Sequence, residues 1–181
     1  DSTPVEVADG AFTMPDQPVT VTVTFRVSNE PDILLDFEGS VLPTSYAAAV
    51  GEMAGYDWNL INVIRGTLEN DRKNGEVSAR IRHETATAGT LANAEPFEQA
   101  ITRIRFWYAN FGTDSTVTFK VQVSANGVDW SDVGEEAYSA AGIELAEAEI
   151  AAIPPGMTFV RFITTGGTHG ERINLEDVGL F

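Results

Sequence analysis

The sequence predicts an all-β chain folded as an antiparallel β-sandwich, and three observations carry that expectation. Apolar and polar residues alternate with period two in several separate segments. Turn-forming clusters of Gly, Pro, Asn and Asp recur at intervals of roughly ten residues, the spacing of short strands in a sandwich. A single stretch, 138–150, has helical character.

The clearest strand comes first. Val19, Val21, Val23 and Phe25 fall on one face and Thr20, Thr22 and Thr24 on the other, the alternation of β-branched residues that a pleated strand requires. Ser28 to Asp32 breaks the pattern as a linker or wide turn. Ile33 to Glu38 reads as a short apolar strand ending in carboxylates, and Gly39 to Pro43 as a turn. Tyr46 to Trp58, interrupted by Gly51 and Gly55, reads as irregular strand and loop. Trp58 to Ile64 is β-rich, and Asn70 to Gly75 is a polar turn.

Val77, Ala79 and Ile81 then alternate with Ser78, Arg80 and Arg82. Ile101 to Tyr108 continues the β pattern, with Phe106 and Trp107 on opposite faces. Val117, Phe119, Val121 and Val123 share one face of the next strand, and Ala125-Asn126-Gly127 marks a hairpin turn before Val128 to Val133. Tyr138 to Ile150, rich in Ala and Glu and stopped by Pro154-Pro155, is expected to be one short helix. Met157 to Ile163 and Arg172 to Phe181 close the chain as strands.

The 181 residues suffice for one well-filled core. With 27 Asp and Glu against 11 Lys and Arg the formal net charge is −16, which disfavours nucleic acid phosphates and anionic membrane surfaces. There is no cysteine, so neither disulfides nor thiolate metal sites form. No apolar run is long enough to span a membrane as a helix. The opening Asp1-Ser2-Thr3-Pro4 lacks the basic start and apolar stretch of a signal peptide; the chain is expected to be a piece of a processed multi-domain protein.

Two family resemblances follow from particular motifs. Gly10-Ala-Phe-Thr-Met-Pro15 with the Val/Thr strand to Phe25 resembles the closing strand of the small internalin-type repeat domains of bacterial surface proteins. Residues 1–28 are therefore expected to be the tail of such a repeat plus a linker, and 29–181 the sandwich. Phe119 to Gly134, with its strand, Ser-Ala-Asn-Gly turn and Trp130-Ser131, resembles the galactose-binding-like jelly-rolls, the superfamily of discoidin domains and many carbohydrate-binding modules. Asp36-Phe37-Glu38, Ile104 to Tyr108 and Arg172 to Asp177 extend the resemblance over about 32–181. It implies a jelly-roll β-sandwich in an extracellular, accessory and non-catalytic role, flanked by other domains. Fold alone does not name a ligand.

Little in the chain suggests catalysis. His83 follows Arg82 at a strand end, and His169 lies in the Gly-rich segment 165–170 without a nucleophile motif or zinc spacing. No EF-hand loop is present. The jelly-roll resemblance implies a structural calcium where the opening and closing strands run side by side, and Glu38 and Asp177 occupy the matching positions. The plainer alternative is that they are strand-end carboxylates paired with arginines such as Arg172.

Carbohydrate recognition needs an aromatic face for the apolar side of a sugar and fixed hydrogen-bonding groups beside it. Trp58, in a loop-like stretch after Gly55-Tyr56-Asp57, is the leading candidate, with Tyr56, Tyr108 and Arg82; Tyr46, Arg65, Asn59 and Asn62 are further candidates. Trp130 is expected in the core, as the corresponding residue is in discoidin-like domains. Arg80, Arg82, Arg103 and Arg105 are expected to form a solvated face of salt bridges. Two functions are thus open: a binding module for a glycan or cell-surface component, and a structural or adhesive spacer.

Overall fold

A computed structural model describes residues 29–140 and 142–181. The Val/Thr strand of 19–25 and the expected repeat remnant lie outside the described residues. Twelve strands are present among the described residues: β1 (Ile33–Leu35), β2 (Ala49–Met53), β3 (Tyr56–Ile61), β4 (Val63–Gly66), β5 (Ser78–Arg82), β6 (Thr90–Asn93), β7 (Ile104–Asn110), β8 (Val117–Ser124), β9 (Ser131–Ala140), β10 (Ala146–Ile150), β11 (Phe159–Gly166) and β12 (Arg172–Leu180).

They form two six-stranded antiparallel sheets. The first runs β10-β7-β12-β5-β4, with β1 paired to the C-terminal part of β12; the second runs β2-β3-β6-β11-β8-β9. Their inner faces meet in one apolar core. Phe106 of the first sheet packs edge-on against Phe162 of the second at 5.2 Å between ring centroids and against Tyr138 at 5.2 Å. Phe119 stacks on Tyr138 at 5.4 Å. Around them Leu60, Leu91, Val121, Val160, Ile173 and Leu175 are fully buried. Phe106 faces this core and Trp107 the outside, as strand parity requires.

The helix expected over 138–150 is absent. Its first residues finish β9, and 146–150 form β10, paired with β7 so that Ala148 opposes Phe106 and Ile150 opposes Ile104. The segment Ala146-Glu-Ala-Glu-Ile150 alternates with period two. It offers Ile150 to the core and Glu147 and Glu149 to solvent at the sheet edge. Cross-strand pairing outweighs the helical propensity of Ala and Glu, which amounts to only tenths of a kcal/mol per residue.

Residues 49–57, expected to be irregular, join the β-rich 58–61 in a tight hairpin. Ala54 (φ 52°) and Gly55 (φ 80°) supply the two left-handed residues of its turn. That hairpin fixes the parity of β3. Trp58 and Leu60 point inward, while Asn59 and Ile61 point away from the core.

A buried polar network pins the 67–77 loop onto the outer face of the first sheet. Asp71 accepts hydrogen bonds from the Leu68 amide at 2.7 Å and Asn174 Nδ2 at 2.8 Å, and stands 3.0 Å from Arg80 Nε. Arg80 is 6% exposed, so this arginine is not the solvated ladder member expected from the sequence; the loop covers it. Its guanidinium also lies over the Phe111 ring at 4.7 Å.

Candidate functional site

The four residues selected from the sequence as ligand contacts do not converge. Trp58 is 0% exposed, its Nε1 donating to the Met53 carbonyl at 3.2 Å and its ring tilted against Phe97. No face of the indole is left for a ligand, which corrects its assignment as the leading binding residue. Tyr56 is half-buried, edge-on to Phe97 at 4.9 Å, beside a cavity of about 260 Å³ shared with Ile101 and Phe181. Tyr108 packs among Phe119 and Tyr138 at the margin of the core, and burial raises its phenol pKa. Arg82 belongs to the outer face of the first sheet, 4.0 Å above the Tyr46 ring and 2.6 Å from Glu84.

The surface suited to a ligand is the outer face of the second sheet. A groove of about 810 Å³ crosses it, bordered by the 125–130 turn. Strand register builds its floor: Val50 opposes Asn59, Asn59 opposes Ala92, and Ala92 opposes Arg161; beyond the groove the same row continues from Arg161 to Gln122 and Asp132. A second row runs through Ile61 and Thr90 in the groove and continues outside it to Ile163 and Lys120. These are the outward residues of strands whose inward residues form the core, so the groove is held on rigid elements.

Trp130 forms one wall. It is half-buried and lines the groove, whereas the sequence predicts it in the core. The displacement comes from the turn. Asn126 Oδ1 accepts from the Val128 and Asp129 amides, both at 2.9 Å, and Gly127 takes φ 72°. Regular β pairing resumes only at Ser131, opposite Val123. Trp130 thus precedes the strand and lies against the sheet's outer face.

Arg161 lies beneath it, its guanidinium 4.3 Å from the Trp130 ring centroid. Arg161 Nε donates to Gln122 Oε1 at 2.6 Å, Gln122 Nε2 donates to Asp132 Oδ1 at 2.6 Å, and Lys120 Nζ donates to Asp132 Oδ2 at 2.5 Å. These hydrogen bonds hold Asp132 below the usual carboxylate range and raise Lys120. Burial lowers the Arg161 pKa, opposed by the Asp132 charge. An indole wall with a fixed fork of donors, an exposed Asn59 and a half-buried Thr90 can stack on a sugar ring and bond its hydroxyls. Of this set sequence inspection names Asn59 alone as a ligand candidate, because its members come one or two from each strand.

Glu38 and Asp177, the expected calcium ligands, do meet near one loop. Glu38 Oε1 accepts from the Glu76 and Val77 amides at 2.8 and 3.1 Å, and Asp177 Oδ2 accepts from Asn74 Nδ2 at 2.7 Å. Asp177 has φ 42° where the β12–β7 register shifts between Glu176 and Gly179. Glu176, which no sequence motif marks, is 1% exposed, and its Oε1 has no hydrogen-bond partner. Burial first, then the Asp177 charge, push its pKa up to about 8. Among the described residues no group of three or more His, Cys, Asp or Glu stands ready to hold a metal. The donors are the hard oxygens that calcium prefers, but Glu38 and Asp177 each spend an oxygen on an N–H donor.

The histidines lie elsewhere. His83 is buried with Nδ1 3.2 Å from Thr164 Oγ1, while His169 is exposed and 2.6 Å from Glu84. Among the described residues no helix is long and apolar enough to cross a membrane.

No protein-family model matches the sequence, and no curated protein matches it. Solved structures do match in fold. The K2 cleaved adhesin domain of Lys-gingipain superposes with TM-score 0.61 at 14% identity, over 82% of this chain and 96% of that one. The K3 cleaved adhesin domain of Lys-gingipain from Porphyromonas gingivalis gives 0.54 at 18% identity, over 83% and 98%. The C-terminal family 22 carbohydrate-binding module of Clostridium thermocellum Xyn10B gives 0.53 at 12% identity, over 86% and 96%. At these identities the likeness is one of fold: the chain has the β-sandwich that these adhesin domains and carbohydrate-binding modules share.

Proposed function

We propose that this chain is a non-catalytic glycan-binding module of an extracellular multi-domain protein, with the groove of the second sheet as its ligand face. The observation that carries the reading is the Trp130 wall over Arg161 in a groove of about 810 Å³, an aromatic platform beside fixed hydrogen-bond donors. The fold shared with carbohydrate-binding modules supports it. A glycan-array screen tests it: wild type retains at least one glycan and Trp130→Ala loses that signal. Retention by Trp130→Ala at full strength would move the site elsewhere.

A structural calcium at Glu38 and Asp177 belongs to the same proposal, with Glu176 buried close enough to feel both charges. The unpartnered buried Oε1 of Glu176 favours it. Binding there requires Glu38 or Asp177 to turn from its present N–H donor. A rise in Tm on adding calcium, absent in Glu176→Gln, is the expected result; identical melting with calcium and with chelator would remove the ion from the account.

The alternative, a structural or adhesive spacer without a small ligand, draws support from the fold shared with the gingipain adhesin domains. An array without hits, together with binding to a protein surface, would favour it.

A further inference from the structure

Among the described residues Arg161 is the single charged side chain lining the groove, in a chain whose acids outnumber its bases 27 to 11. No described acid lines that surface. Arg80, Arg82, Arg103 and Arg172 each stand within 4.0 Å of a carboxylate; Arg161 has none that close among the described residues. Asp132, the acid across the row, has both oxygens occupied, Oδ1 by Gln122 and Oδ2 by Lys120.

The guanidinium is nevertheless held in place. Its Nε is bound to Gln122 Oε1 at 2.6 Å and its plane is carried by the Trp130 ring. The two terminal nitrogens remain, aimed by these contacts and without an acceptor among the described residues. A guanidinium fork of this kind matches a planar carboxylate through two parallel hydrogen bonds. Long-range repulsion from the −16 net charge is screened beyond about 8 Å at physiological ionic strength, so the local fork decides what is accepted.

We propose that the groove selects acidic glycans, with Arg161 binding the carboxylate of a uronic acid residue while Trp130 stacks on a sugar ring. This deepens the glycan-binding reading and rests on it. One cation fits one carboxylate set along a chain of sugars. A densely sulfated polymer would demand several cations, which this face lacks.

The test is affinity measurement against alginate, polygalacturonate and glucuronoxylan, each paired with its carboxyl-reduced form. The readout is the ratio of affinities within a pair. Wild type should prefer at least one acidic polymer by about tenfold or more, the effect of charge-assisted hydrogen bonds. Arg161→Gln should bring that ratio to about one and Arg161→Lys should restore part of it, while Trp130→Ala weakens both members of the pair together. Equal or tighter binding of the reduced polymers overturns the acidic selectivity but leaves the groove standing. A preference that survives in Arg161→Gln overturns the role of Arg161. Failure of every polymer, acidic or reduced, together with an empty array of neutral glycans, overturns the groove reading and this inference with it.

Discussion

Trp58 and Trp130 make opposite predictions when each is replaced by alanine. Trp58 is fully buried and its indole N–H serves the Met53 carbonyl. A buried tryptophan removes roughly 200 Å² from water, which at about 25 cal/mol per Å² is about 5 kcal/mol. Part of that is recovered by relaxation and by the alanine methyl, so Trp58→Ala should cost about 3–5 kcal/mol. For a chain of this size each kcal/mol lowers Tm by about 2–4 °C, giving a fall of roughly 6–20 °C. Trp130 borders the groove with one ring face on Arg161, and Trp130→Ala should cost about 1 kcal/mol or less. Differential scanning calorimetry, with urea unfolding as a second probe, reads both. Trp58→Phe, which keeps most of the area and loses the hydrogen bond, should fall between. Equal Tm shifts for the two alanine variants, or a Trp58→Ala protein melting within about 2 °C of wild type, would refute the assignment of one tryptophan to the core and the other to the ligand face.

Further outcomes follow from the buried groups. Asp71→Ala strands Arg80 and removes one of the two acceptors of Asn174 Nδ2, and urea unfolding should show a loss of about 3–5 kcal/mol. Gly127→Ala places a methyl on a backbone at φ 72° with a Phe159 ring carbon 3.1 Å away, so it should destabilise by about 1–2 kcal/mol and weaken glycan binding with it. Glu176 holds its proton in the fold up to about pH 8, against an ordinary value of 4.5. Between those pH values the unfolded chain binds fewer protons than the native one, so the stability associated with Glu176 falls as pH rises. Glu176→Gln lacks that loss, and in chelator it should gain on wild type by up to about 1.4 kcal/mol per pH unit across the window. Parallel stability curves from pH 5 to 8 would contradict it.

Much of the framework is legible in the alternation of residues alone. Val117, Phe119, Val121 and Val123 alternate so regularly that their inward face is plain from the pattern, and they are all buried. Residues 146–150 mislead because Ala and Glu favour a helix locally while the pairing with β7 decides the outcome. The 49–61 hairpin is hidden by a turn, Ala54-Gly55, whose first residue seldom adopts positive φ. That concealment makes Trp58 look solvent-facing, although Trp58 and Leu60 alternate with Asn59 and Ile61 as a strand would. The groove is the least legible part. Asn59, a candidate from the sequence, stands far from Ala92, Arg161 and Gln122 in the chain, and those three look like ordinary outward residues until strand register lines them up. The position of Trp130 depends on the geometry of one turn, which the residue types around it do not reveal.

The central claim is that the groove beneath Trp130 binds sugar. Titrating the ¹⁵N-labelled chain with a glycan from the array and following the three tryptophan indole N–H signals tests it most directly. The account predicts that the Trp130 indole shifts, together with the backbone amides of Asn59, Ala92, Arg161 and Gln122, while the buried Trp58 indole stays still. A bound glycan that leaves Trp130 unmoved and shifts residues around Tyr56 or the Glu38–Asp177 loop instead would contradict it.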